Sequence, residues 1–109
     1  MLLNTRKEGD IDIVRVEADR IDAAVAIHFK DRMREALGGA TGRVILDLEE
    51  VDFIDSSGLG AIVAAMKLMP PGIKLELAGL TAAVDKVFRM TRMDSIFVIH
   101  PSAGTALEA

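Results

Sequence analysis

The chain contains no cysteine, no tryptophan and no tyrosine, and its aromatic content of 4% comes entirely from four phenylalanines. The absence of cysteine removes disulfides, thiolate metal sites and cysteine nucleophiles together. There is no apolar run near the ~18 residues that crossing a bilayer requires. Nor does the N-terminal stretch pair a basic segment with an apolar core and a small-residue cleavage site. A cytoplasmic protein without membrane insertion is expected. Basic residues number 13 against 17 acidic ones, a net charge of −4, and they form no cluster. Nucleic-acid binding leaves a basic footprint, so direct contact with DNA or RNA is not expected. The one basic neighbourhood, Lys86, Arg89 and Arg92, is diluted by Asp85 and Asp94 and reads as a solvated helix face. His28 and His100 stand far apart in sequence with no third ligand at metal spacing, so each reads as a surface or packed side chain. No metal or cofactor is expected.

Half of the 109 residues are hydrophobic. With so few aromatics the core must be built from Val, Ile, Leu, Ala and Met, and a chain of this length supports one core, not two. Residues 1–109 are expected to form one domain with its core over about residues 10–100. Leu2 and Leu3 begin a first strand that ends at the turn Glu8-Gly9-Asp10, and Ile11, Ile13, Val14 and Val16 give a half-alternating second strand. Asp22 is placed to cap a first helix carrying Val25, Phe29, Met33, Ala36 and Leu37, which Gly38-Gly39 stops. Residues 43–48 read as the third and most apolar strand. Pro70-Pro71-Gly72 ends a second helix, because proline cannot continue the hydrogen-bond ladder. Ile73, Leu75 and Leu77 alternate with Lys74, Glu76 and Ala78 in a fourth strand. Thr81 caps a third helix with Val84, Val87, Phe88 and Met90 facing inward. Residues 96–99 read as a final short strand, and residues 101–109 as a tail with at most a turn of helix. Met66 reads as core filler, and at most one of Met69, Met90 and Met93 as a contact for another protein. Strands alternating with helices predict an α/β fold, a mixed, largely parallel sheet with helices packed on it.

The most informative stretch is residues 44–66. Val44, Ile45, Leu46 and Leu48 form a β-prone run broken by Glu49 and Glu50, and Val51, Phe53 and Ile54 carry the apolar signal up to Asp55-Ser56-Ser57-Gly58-Leu59-Gly60. Beyond that turn Leu59, Ile62, Val63 and Met66 recur with the spacing of one helical face. Two hydroxyls therefore sit where a strand hands over to a helix, at an end whose N–H groups lack partners and whose dipole is positive. Such a place can hold a phosphate, and a hydroxyl there is a natural site for a phosphorylation switch. The same residues are also ordinary caps. On pattern alone, Ser56 or Ser57 could do nothing more than cap, and nothing chooses between the neighbours.

Residues 44–67 resemble the signature of STAS domains, nearest to the bacterial anti-sigma factor antagonist branch. The resemblance rests on the strand Leu46-Asp47-Leu48, the run from Asp52 through Gly60 and the helix beginning Ala61-Ile62-Val63, and it extends more loosely over nearly the whole chain. It implies a STAS fold in the order β-β-α-β-α-β-α-β. It further implies a binding switch: the unphosphorylated form binds an anti-sigma factor with a serine kinase fold and so frees the sigma factor. That kinase, which carries the ATP, would modify the hydroxyl directly after the turn's aspartate, Ser56, with Ser57 as runner-up. A PP2C-type phosphatase would restore the active form. The partner-binding residues implied are Asp22, Asp55, Ser57, Gly58, Leu59 and Gly60. Family members often carry Gly-Glu-Leu/Ile-Asp where this chain has Asp19-Arg20-Ile21-Asp22, so Asp22 is kept while the preceding pair differs, on a rim near the expected docking surface.

Two further readings stand beside this one. The first is a scaffolding STAS subunit of a signalling or lipid-transport assembly, in which the turn only docks; a retained serine argues mildly against it. The second is a hydrolase with Ser56 or Ser57 as nucleophile. It lacks the Gly-x-Ser-x-Gly elbow, and two histidines in so short a chain offer little for a triad.

Overall fold

Residues 2–109 are described by the computed structural model of the protein. β1 (Leu2–Glu8) and β2 (Ile11–Glu17) form an antiparallel hairpin. Gly9 turns the corner at φ +63°, a backbone angle that a side chain would disfavour. β2 then lies parallel to β4 (Val44–Asp47), β4 to β6 (Leu75–Ala78) and β6 to β7 (Ile99–His100), in the spatial order β1-β2-β4-β6-β7. The result is a mixed, mostly parallel sheet of five strands, as the alternation of elements predicts.

The register aligns Val14, Leu46 and Leu77 on one face of this sheet and Ile13, Ile45 and Glu76 on the other, because successive strand residues point to opposite sides. The first face lies under α1 (Ala26–Leu37), α2 (Ser56–Lys67) and α3 (Ala82–Met90). Their inward residues Phe29, Met33, Ile62 and Phe88 are fully buried against it. The second face is covered by the short α4 (Ala103–Leu107), whose Ala106 packs on Ile13, Ile45 and Ala78. That face also holds charge. The Arg43 guanidinium donates from Nε and Nη2 to the two oxygens of Glu76, each at 2.7 Å, and from Nη2 to the Ala106 carbonyl at 3.0 Å. His100 Nε2 meets the same carboxylate at 2.7 Å.

The structure adds to the expected order and shifts parts of it. β3 (Arg20–Ile21) and β5 (Phe53–Ile54) pair in parallel as a separate two-stranded sheet, too short for any period to announce. Asp22 does not cap α1, which starts four residues later at Ala26. The Asp22 Oδ1 atom accepts from the Ala24 amide and its carbonyl from the Val25 amide, which closes a separate turn before the helix begins. Met90 is not inward. It is 73% exposed, because the buried stripe of α3 runs through Val84 and Phe88, and a residue two beyond Phe88 faces away. The last strand is Ile99–His100, not residues 96–99: a 3-10 turn at Met93–Ser95 uses up the approach, and pairing begins where β6 offers Leu77 to Ile99. Thr81 caps α3 as expected, accepting from the Val84 amide.

The Arg43 hydrogen bonds hold the Glu76 carboxyl below its ordinary range, against the opposing effect of burial. A carboxyl whose pKa is depressed by folding contributes stability above its unfolded value, and that contribution is lost as pH falls through the folded value. Arg43→Ala should therefore cost about 2 kcal/mol at pH 7, a buried-pair loss reduced by the arginine's partial exposure. The gap to the parent protein should close as pH drops below about 4, as urea unfolding at several pH values will show.

Candidate functional site

Asp55 is the hinge between β5 and α2, and its carboxylate is shared between two segments. In extended backbone at the N-cap position, its Oδ1 accepts from the Gly58 amide at 2.8 Å, closing the first turn of α2. Its Oδ2 accepts from the Ala23 amide at 3.2 Å, which fastens the turn between β3 and α1 to the same point. The Gly58 amide, and with it those of Ala23 and Ser57, holds the Asp55 carboxyl below its ordinary range despite some burial, so it is ionised at neutral pH. Ser56 and Ser57 follow as the first two residues of α2. Both are exposed, and among the described residues neither hydroxyl has a hydrogen-bond partner.

The two glycines of the motif do different things, and neither has a positive φ. A Cβ on Gly58 would lie 1.9 Å from the Ile21 carbonyl oxygen and 3.0 Å from Ile54 Cγ1, so its bareness lets the start of α2 press onto β3 and β5. A Cβ on Gly60 would meet nothing within 4 Å. Gly60 is exposed, and its missing side chain leaves open the helix surface one turn past the serines. Leu59, expected among the partner-binding residues, turns inward instead; it is 9% exposed and packs in the core.

Asp22 lies beside this turn through its neighbour Ala23, and its Oδ2 accepts from Arg20 Nε at 2.9 Å. The Arg20 guanidinium also stacks on Phe53, 4.7 Å from the ring centroid. The fold thus gathers Asp22, Asp55, Ser56, Ser57, Gly58 and Gly60 at one end. It adds two features that sequence reasoning did not find: the Ala23 amide and the Arg20–Phe53 stack. No residue pattern marks a backbone amide thirty-two positions away as a partner of Asp55. For Phe53 the only signal is an apolar residue next to the turn that a two-residue strand cannot bury. A groove of about 350 Å³ lined by Met66, Ile73, Phe97 and Val98 includes none of these residues. Among the described residues no three His, Cys, Asp or Glu side chains converge as metal ligands, and no helix is long and apolar enough to cross a membrane.

The family profile of the STAS domain matches residues 3–106. The chain belongs to the STAS domain family. An anti-sigma-B factor antagonist of Listeria monocytogenes is 35% identical over 101 residues, covering 90% of this chain and 88% of the relative. Among solved structures, an anti-sigma factor antagonist from Mycobacterium paratuberculosis superposes with a TM-score of 0.87 at 19% identity, over 98% of this chain and 91% of the other. The Bacillus cell fate determinant SpoIIAA in its phosphorylated form gives a TM-score of 0.68 at 18% identity, over 98% of this chain and 97% of the other. These structural likenesses establish the STAS fold.

The glycines give a prediction for this STAS chain that separates packing from surface. Gly58→Ala should destabilise by about 3 kcal/mol, since backbone cannot move aside as a flexible side chain can. Gly60→Ala should leave stability unchanged or raise it by up to about 1 kcal/mol, the ordinary helix preference of alanine over glycine. Thermal and urea unfolding of the two variants distinguish the roles.

Proposed function

We propose that this protein is an anti-sigma factor antagonist, a non-enzymatic binding module of the cytoplasm that sequesters an anti-sigma factor with a serine kinase fold. Phosphorylation of Ser56 by that kinase, with ATP bound on the kinase, switches the module off, and a PP2C-type phosphatase switches it on again. The observation that carries this reading is the exposed, unpartnered Ser56 hydroxyl at the first position of α2, beside a carboxylate already fixed by two amides. The relative from Listeria monocytogenes, named an anti-sigma-B factor antagonist, supports the partner class. Ser57 is the alternative acceptor, and Asp22, Asp55 and Gly60 belong to the surface the partner covers.

The chemistry of the switch follows from charge. A phosphoserine carries about −1.5 to −2 charge and three acceptor oxygens. A partner docked flat on the turn would have to desolvate that charge next to the ionised Asp55. A loss of about 4 kcal/mol at an interface centre weakens binding about a thousandfold. The positive end of α2 accommodates the phosphate locally, so the fold itself need not rearrange. Direct nucleic-acid contact plays no part in this scheme.

Incubating the protein with ATP and the kinase-fold anti-sigma factor of its own organism should place phosphate on Ser56, and Ser56→Ala should abolish labelling. Phosphate on Ser57 alone would overturn the site assignment. No labelling by a kinase that nevertheless binds the protein would favour a scaffolding STAS subunit.

A further inference from the structure

Of the arginines on the strand ends near the serine turn, Arg15 and Arg20 are placed differently. Arg15 is spent within the protein: its Nη2 meets Glu49 at 2.8 Å and its Nε meets Glu50 at 2.7 Å. Arg20 uses Nε alone, toward Asp22, and its two terminal amino groups have no protein acceptor among the described residues. Its side chain is 56% exposed; its Cζ lies over the Phe53 ring, 4.7 Å from the centroid, and its Nε edge meets Asp22. Phe53 is itself 44% exposed. The parallel pairing of Arg20 with Phe53 puts the stack on the outer side of the β3–β5 ribbon, while Ile21 and Ile54 point inward. A second exposed apolar side chain, Ile27 at 71%, lies in the first turn of α1, just past the loop that Ala23 ties to Asp55.

We propose that the Arg20–Phe53 stack is the specificity-determining contact of the partner-binding surface, and that the partner presents a carboxylate to Arg20 beside an apolar side chain that covers Phe53. The inference rests on the proposed function and deepens it by naming the chemistry of the partner's facing segment. A guanidinium carries five donors in a planar fork that matches a carboxylate in two-point geometry. Here the contacts with Phe53 and Asp22 already restrain the guanidinium, so less side-chain freedom is lost on binding. The continuity is structural: Phe53 lies two residues before Asp55, and Arg20 hydrogen-bonds the residue that precedes Ala23.

Affinity for the kinase-fold anti-sigma factor, measured by calorimetry on the full chain, tests the proposal through three substitutions. Arg20→Glu should weaken binding by tenfold or more, roughly the effect of reversing one anchoring charge. Arg20→Lys should also lose affinity, since an ammonium keeps the charge without the fork. Phe53→Ser should weaken binding in the same range, while Leu68→Ser, exposed at the opposite end of α2 from the serines, should not. Melting temperatures near that of the parent protein will show that these surface changes leave the fold intact, and should Phe53→Ser melt early, the Arg20 pair carries the test alone. Arg20→Glu binding as tightly as the parent would overturn the proposal while leaving the antagonist reading standing. Equal affinity of Arg20→Lys and parent would overturn the two-point carboxylate contact. No binding by the parent protein itself would overturn the antagonist reading, and this contact with it.

Discussion

One carboxylate ties the start of α2 to the loop before α1. Asp55 accepts from Gly58 on its own helix and from Ala23 on a segment far away in sequence, and both bonds are to backbone. Backbone donors do not change rotamer, so the turn has little freedom left once Asp55 is ionised. The serines that follow are thereby set at a fixed place with their hydroxyls outward. Rigidity here has a consequence for binding, because a surface ordered before docking gives up less freedom when it is covered.

Burial and exposure are separated along the motif residue by residue. Gly58 and Leu59 serve the interior, one by letting α2 meet the Ile21 carbonyl and the other by filling the core. Ser56, Ser57 and Gly60 serve the exterior. The alternation arises because a helix lying on a sheet buries one stripe and exposes the rest. On the far side of the sheet, Arg43, Glu76 and His100 form a part-buried polar network, which Arg43 ties to the Ala106 carbonyl of α4 and which involves none of the turn residues. Changes in that network should alter stability without altering the turn.

The sequence made the major elements legible where apolar periodicity was sustained, as in β2, β4, β6 and the three long helices. It also placed Asp-Ser-Ser-Gly at a strand-to-helix turn, where the pattern alone fits a plain cap and the resemblance to STAS domains singles out the serines. Short pairings were not legible. Two residues in β3 and two in β5 carry no period, and their pairing joins segments far apart in sequence. Asp22 looked like a cap because a cap and a turn-forming aspartate are the same residue before the same kind of helix. In the structure the Ala24 and Val25 amides go to Asp22, the Ala23 amide goes to Asp55, and the helix starts at Ala26. The Arg20–Phe53 stack was hidden for a similar reason: thirty-three positions separate the pair, and only the small ribbon makes them neighbours.

We propose, above all, that added negative charge at Ser56 makes the turn uncoverable without reshaping the fold. The most direct measurement is the dissociation constant of one kinase-fold partner for the phosphorylated and unphosphorylated proteins, with the amide spectrum of each recorded alongside. A loss of affinity of at least a hundredfold, with spectral changes confined to residues around Asp55 and the start of α2, is the expected result. Equal dissociation constants for the two forms would contradict it.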